Sequence, residues 1–167
     1  MTLQSVVVGL SALAVVALHG QGKATARAAD LSGIEKARQE DIAATVARDP
    51  VALTDFWTDD AIRLGVGQPA EIGKQAIRAS NDRLAANKAF KVLSYLPEVK
   101  DFAFLDGGWA VEWRTFTASY VDSPGGEAKQ VRGTVLGVFK KLPDGSWRVF
   151  RAMGGIEPPA AGKGGGS

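Results

Sequence analysis

The chain has no cysteine, and its one histidine, His19, lies close to the N-terminus. The first absence excludes disulfides, thiol nucleophiles and thiolate metal sites. The second leaves the rest of the chain without an imidazole. A histidine-assisted serine nucleophile or a histidine-ligated zinc or iron centre is therefore excluded from the folded body. Neither a metal nor a cofactor is expected. Asp55, Asp59 and Asp60 lie close together, but a calcium loop needs more oxygen ligands at regular spacing. They read as a helix end and a solvated turn. Gly65-Val66-Gly67 lacks the further glycine and the strand–helix context of a phosphate cradle. Surplus charge is missing too. The first 29 residues hold Lys23, Arg27 and no acid, and without those two bases the 20 basic residues become 18, against 18 acidic ones. With no stripe of bases interleaved with aromatics, no nucleic-acid partner is expected.

What is present suits one domain: 167 residues, 46% of them hydrophobic. Val6–Leu18 is an apolar run of 13 residues, short of the ~20 that a membrane span needs. The small-x-small triplet Ala26-Arg27-Ala28 follows. This pattern predicts a signal peptide over 1–28, a periplasmic or secreted protein, and no stable membrane insertion after cleavage. The domain is expected over 29–155. A disordered tail or appended linker is expected over 156–167, where proline, alanine, glycine and serine dominate.

Within the domain, apolar residues at helical spacing predict a helix over Ser32–Arg48, capped by Ser32 with Glu35 and stopped by Asp49-Pro50. Val51–Trp57 reads as a short helix, Ala61–Val66 as a strand and Lys74–Ala86 as a third helix. From Phe90 the period changes. Strands are expected over Phe90–Leu96, Glu98–Leu105, Trp109–Val121, Ala128–Leu142 and Trp147–Met153, with Asp106-Gly107-Gly108 and Pro143-Asp144-Gly145-Ser146 among the turns. Helices first and an antiparallel meander last is the α+β solution. A strongly twisted sheet leaves a concave face that the helices cover, and the space between them is a natural ligand site.

Several segments resemble the SnoaL-like branch of the nuclear transport factor 2-like superfamily. Leu53-Thr54-Asp55-Phe56-Trp57-Thr58-Asp59-Asp60-Ala61 is similar to its short helix followed by an aromatic and Asp-Asp-Ala. Ile72-Gly73-Lys74-Gln75-Ala76-Ile77-Arg78 resembles its Gly-x-x-Ala-Ile helix start. Trp109-Ala110-Val111-Glu112-Trp113, Val131-Arg132-Gly133-Thr134-Val135-Leu136 and Pro143-Asp144-Gly145-Ser146-Trp147-Arg148-Val149 resemble strands of an exported subgroup. The resemblance runs from about Leu31 to Met153 and implies a cone-shaped α+β fold. Relatives in that superfamily include ketosteroid isomerase, polyketide cyclases, epoxide hydrolases and association domains, so the fold leaves the chemistry open. It also implies a homodimer through the sheet's outer face, where Val135, Phe139 or Phe150 would form the patch.

Three functions follow from the residues. In the first, the protein binds a small hydrophobic or anionic molecule without catalysis; the chain ends its last strand in Ala152-Met153-Gly154-Gly155, not in an acid. In the second it is an isomerase, cyclase or hydrolase, with Glu112 as general base and Arg114 or Arg132 holding an anionic group. In the third it is an association module. Trp57, Tyr95 and Trp113 are candidate pocket walls, and Tyr120 a candidate oxyanion donor. Glu112 and Arg114 stand two apart on one strand face, yet both faces of that strand are mixed. A catalytic Glu112 should lie in the cavity away from the arginines; a structural one should be in hydrogen-bond contact with an arginine and buried.

Overall fold

The computed structural model describes residues 11–158, and their side chains from 25 onward. Residues 1–10, the start of the expected signal peptide, and 159–167, most of the expected tail, lie outside the described residues. Among the described residues no helix is long and apolar enough to cross a membrane. The chain divides into two compact units, Met1–Lys36 and Ala37–Ser167. In the first, the described residues are helical from Ser11 on, as part of α1 (Ser11–Ala47). The helix expected to start at Ser32 therefore starts earlier, and Ser32 lies inside it.

The second unit opens with the end of α1. Arg48 follows at φ 53°, the left-handed region. Its N–H donates to Thr45 O at 3.2 Å, and Asp49 N–H donates to Ala44 O at 3.1 Å. This is the Schellman closure, with arginine where glycine is usual. The Asp49 carboxylate accepts from the N–H groups of Val51 (2.9 Å) and Ala52 (3.1 Å), which starts α2 (Ala52–Asp55). Helix α3 runs over Lys74–Ala86, as expected.

Six strands form one open sheet: β1 (Trp57–Gly65), β2 (Glu71–Ile72), β3 (Lys91–Leu105), β4 (Trp109–Val121), β5 (Lys129–Lys141) and β6 (Trp147–Ile156). Their order is β2-β1-β6-β5-β4-β3. The meander from β3 to β6 is antiparallel, and β1 adds to β6 in parallel. The two strands expected around Pro97 are one. Proline removes a ladder donor, but β3 is an edge strand, where that loss is tolerated. Its register shifts near Ser94 and Asp101 add local twist. Gly107 and Gly108, at φ 71° and 79°, make the β3–β4 turn that glycine alone adopts without strain.

Alternation sorts the sheet into two faces. Ala110, Glu112, Arg114 and Phe116 of β4 share the inner face with Val135, Gly137 and Phe139 of β5 and with Ala152 and Gly154 of β6. Ala61, Ile77, Ala110, Phe139 and Trp147 are buried in this unit's core. Val135 and Phe139, expected on the outer face, therefore point inward. A phase set by the pleat decides this, and mixed residues on both faces did not reveal it.

Candidate functional site

A cavity of about 850 Å³ opens within the second unit, a size suited to a drug-sized molecule. Its floor is the inner sheet face and its walls come from the end of α1, from the segment Leu53–Trp57 and from α3. The cavity exists because β5 and β6 carry small inner residues. Gly137 pairs with Ala152, and Val135 with Gly154, so the floor is low there. Large side chains at those positions would fill the space. Phe116 lies across Gly133, where an added Cβ would stand 2.4 Å from the ring and 2.5 Å from the Gly155 carbonyl.

Two polar groups of residues are set in this apolar lining. In one, Arg38 on α1 donates its Nε to Glu112 Oε2 at 2.8 Å and brings its Nη2 within 2.6 Å of the same oxygen. Arg114 donates Nη2 to Asp41 Oδ2 at 2.7 Å, and its Nε is 3.8 Å from Glu112 Oε1. Arg38 and Asp41, three apart on the helix, meet Glu112 and Arg114, two apart on the strand. Helical and pleated spacings thus match pair for pair. Arg38 also lies over the Phe102 ring at 5.0 Å. Burial pushes the Arg114 guanidinium down, but the Asp41 carboxylate, Tyr95 and Glu112 together outweigh it and hold the group above its usual range.

In the other group, Arg63 of β1 donates Nε to Glu71 Oε2 and Nη1 to Asn81 Oδ1 at 3.1 Å, with Trp57 under its guanidinium. Asn81, buried on α3, donates Nδ2 to Thr54 Oγ1 at 3.1 Å, and that hydroxyl donates to Pro50 O at 2.6 Å. Burial pushes the Glu71 carboxyl up, but hydrogen bonds from Arg63 and Ser80 and the nearby Arg83 charge hold it below the usual range.

Of the sequence-predicted site residues, the structure brings Trp57, Tyr95 and Arg114 to the cavity. Burial raises the Tyr95 phenol to about 12, so it is a neutral donor at any ordinary pH. Glu112 is 2% exposed and sealed behind the lining by its arginines. The other three lie elsewhere. Trp113 is on the outer face, 48% exposed, with its indole N–H donated to Thr134 Oγ1 at 2.8 Å. It neighbours Glu112 and Arg114 in sequence, and the pleat sends it the opposite way. Tyr120 sits at the far end of β4, stacked on Phe90 at 5.1 Å. Arg132 alternates out of phase with the inward Gly133 and Val135, and is exposed. Sequence reasoning missed Arg38, Asp41, Arg63, Glu71 and Arg83 at the site. Only the three-residue spacing of Arg38 and Asp41 beside apolar Ala37 and Ile42 signalled an inward polar pair. Among the described residues, no three carboxylates converge as a bound metal would require.

No protein-family model and no curated protein sequence matches the chain. Solved structures do match it. A ketosteroid isomerase-like protein from Erwinia carotovora superimposes with a TM-score of 0.67 at 22% identity, over 78% of this chain and 98% of that one. A nuclear transport factor 2-like superfamily protein from Salmonella enterica gives 0.63 at 15% identity, over 84% and 99%. A nuclear transport factor 2-like protein with a cystatin-like fold from Novosphingobium aromaticivorans gives 0.61 at 18% identity, over 92% and 95%. With helices laid on one open, curved six-stranded sheet, the chain has the nuclear transport factor 2-like, SnoaL-type α+β fold that its sequence resembles.

Proposed function

We propose that this protein binds a small, largely apolar molecule in the cavity and performs no general-base catalysis with Glu112. The observation that carries this is the pairing of every carboxylate at the site: Glu112 with Arg38, Asp41 with Arg114, and Glu71 with Arg63. A general base must reach the proton it abstracts, and the Glu112 carboxylate is held by its arginines behind the lining, out of reach of the cavity. Titration with an apolar environment-sensitive dye tests the reading. The wild type should bind it saturably at one site, and Ala152→Phe, which fills the floor, should abolish binding without unfolding the chain. Absence of dye binding, or binding indifferent to Ala152→Phe, overturns it.

Export also belongs to this reading. The apolar run Val6–Leu18 and the triplet Ala26-Arg27-Ala28 support cleavage before Ala29. N-terminal sequencing of protein from a cell-envelope fraction should begin at Ala29, and a sequence beginning at Met1 contradicts export.

A second reading concerns association. Trp113, Leu136 and Met153 are cross-strand neighbours on the outer face. They are 48%, 45% and 54% exposed, an apolar row of the kind that marks contact surfaces. The reading is a homodimer through the sheet. Light scattering should give a dimer mass that Leu136→Asp converts to a monomer; a monomer at high concentration refutes it.

A further inference from the structure

We infer that the cavity's ligand is an apolar molecule with a single negative charge, whose acid group is met by Arg83 at the cavity mouth. The inference rests on the binding reading above and adds the ligand's charge and orientation.

The charges of the two polar groups decide it. Arg38, Asp41, Glu112 and Arg114 comprise two cations and two anions in mutual contact. That group is neutral. In the other group, Arg63 and Glu71 cancel, and Arg63 spends its remaining reach on Asn81. Arg83 is left over. It lines the cavity and is exposed. It lies close enough to Glu71 to help hold that carboxyl low. Yet it forms no hydrogen bond or ion pair of its own among the described residues. The site thus carries one positive charge in excess, and that charge sits on a flexible side chain beside the opening.

The rest of the lining sets the ligand's body. Leu53, Phe56, Phe116, Val135 and Phe139 are apolar, so a fully hydrophilic ion would lose more hydration than it regained. A cation would be repelled by the surplus. A dianion would have to break the Arg63–Glu71 or the Arg114–Asp41 pair for its second partner. A neutral apolar molecule would fit the body and leave Arg83 unused. A monoanion satisfies both features, because a guanidinium binds a carboxylate through two parallel N–H groups.

A matched pair of probes tests this by isothermal titration calorimetry on the intact chain: naphthoate and its neutral amide, naphthamide. At low ionic strength naphthoate should bind about threefold to fivefold more tightly than naphthamide. Arg83→Gln should abolish that preference, and the preference should shrink as salt is added. Arg83 is exposed on α3, so the substitution leaves the core intact. Equal binding of the two probes, or a preference that survives Arg83→Gln, overturns the charge assignment and leaves the binding reading standing. Binding of neither probe overturns the binding reading, and the inference with it.

Discussion

Arg38→Leu should be among the more damaging single changes outside the apolar core. Arg38 is the closest cation to Glu112, a carboxylate only 2% exposed. Removing one member of a buried ion pair leaves an uncompensated charge and costs ~3–5 kcal/mol. Two features place this case at the lower end. Arg38 is itself 16% exposed, and Arg114 Nε remains 3.8 Å from the other carboxylate oxygen. The expected loss is therefore about 3 kcal/mol, read from urea unfolding followed by tryptophan fluorescence. The Arg78–Asp82 pair on α3 serves as the control. Its side chains are 40% and 50% exposed, so Arg78→Leu should cost only about 0.3–0.5 kcal/mol. A double variant, Arg38→Leu with Glu112→Leu, removes the orphaned charge along with its partner. It should recover most of the loss, with a coupling of about 2 kcal/mol. The reasoning is refuted if Arg38→Leu costs no more than the control. It is refuted equally if the double variant is as unstable as the sum of the singles, since Glu112 then does not depend on Arg38.

Other outcomes follow from the same structure. Arg48 donates to the carbonyls of Leu84, Asn87 and Phe90 at the end of α3 and stacks on the Phe90 ring. Arg48→Ala should lower stability by about 1–2 kcal/mol, and Arg48→Gly by less, because glycine relieves the left-handed backbone at φ 53°; thermal melts separate the two. The Glu71 carboxyl is held low in the fold, so its pairing stabilises above the unfolded value near 4.5 and that contribution is lost as pH falls through the lowered one. Glu71→Gln should flatten the acid limb of stability against pH. The Tyr95 phenol, raised to about 12, contributes stability that is intact below its unfolded value near 10 and is lost as pH climbs through the folded one. An ultraviolet titration should show a late tyrosine step that Tyr95→Phe removes. Gly133→Ala should cost about 1–3 kcal/mol and weaken dye binding, since the new methyl meets the Phe116 ring and the Gly155 carbonyl.

Much of the architecture was legible in local pattern. Helix α3 and strand β4 begin and end where periodicity places them, at Lys74–Ala86 and Trp109–Val121, because Gly73, Asn87, Gly108 and Asp122 bound them with strong turn chemistry. The parallel pairing of β1 with β6 was not legible. It joins Trp57 to Val149 and Leu64 to Met153, contacts about which neither segment's own pattern says anything. Pro97 pointed to a break that an edge position made unnecessary. The site was half visible. Trp57, Tyr95 and Arg114 reached the cavity, but β4 carries aromatics on both faces and its inner charges are matched by residues from α1. A strand read alone looks amphipathic either way, so its inward face becomes known only when Arg38 and Asp41 are seen against it.

The indole N–H signals of the four tryptophans offer the most direct test, once assigned through single Trp→Phe variants. Trp57 lines the cavity, whereas Trp113 lies on the outer face with its indole bonded to Thr134. Adding naphthoate should shift the Trp57 signal and leave that of Trp113 in place. A shift at Trp113 with Trp57 unmoved would contradict the account.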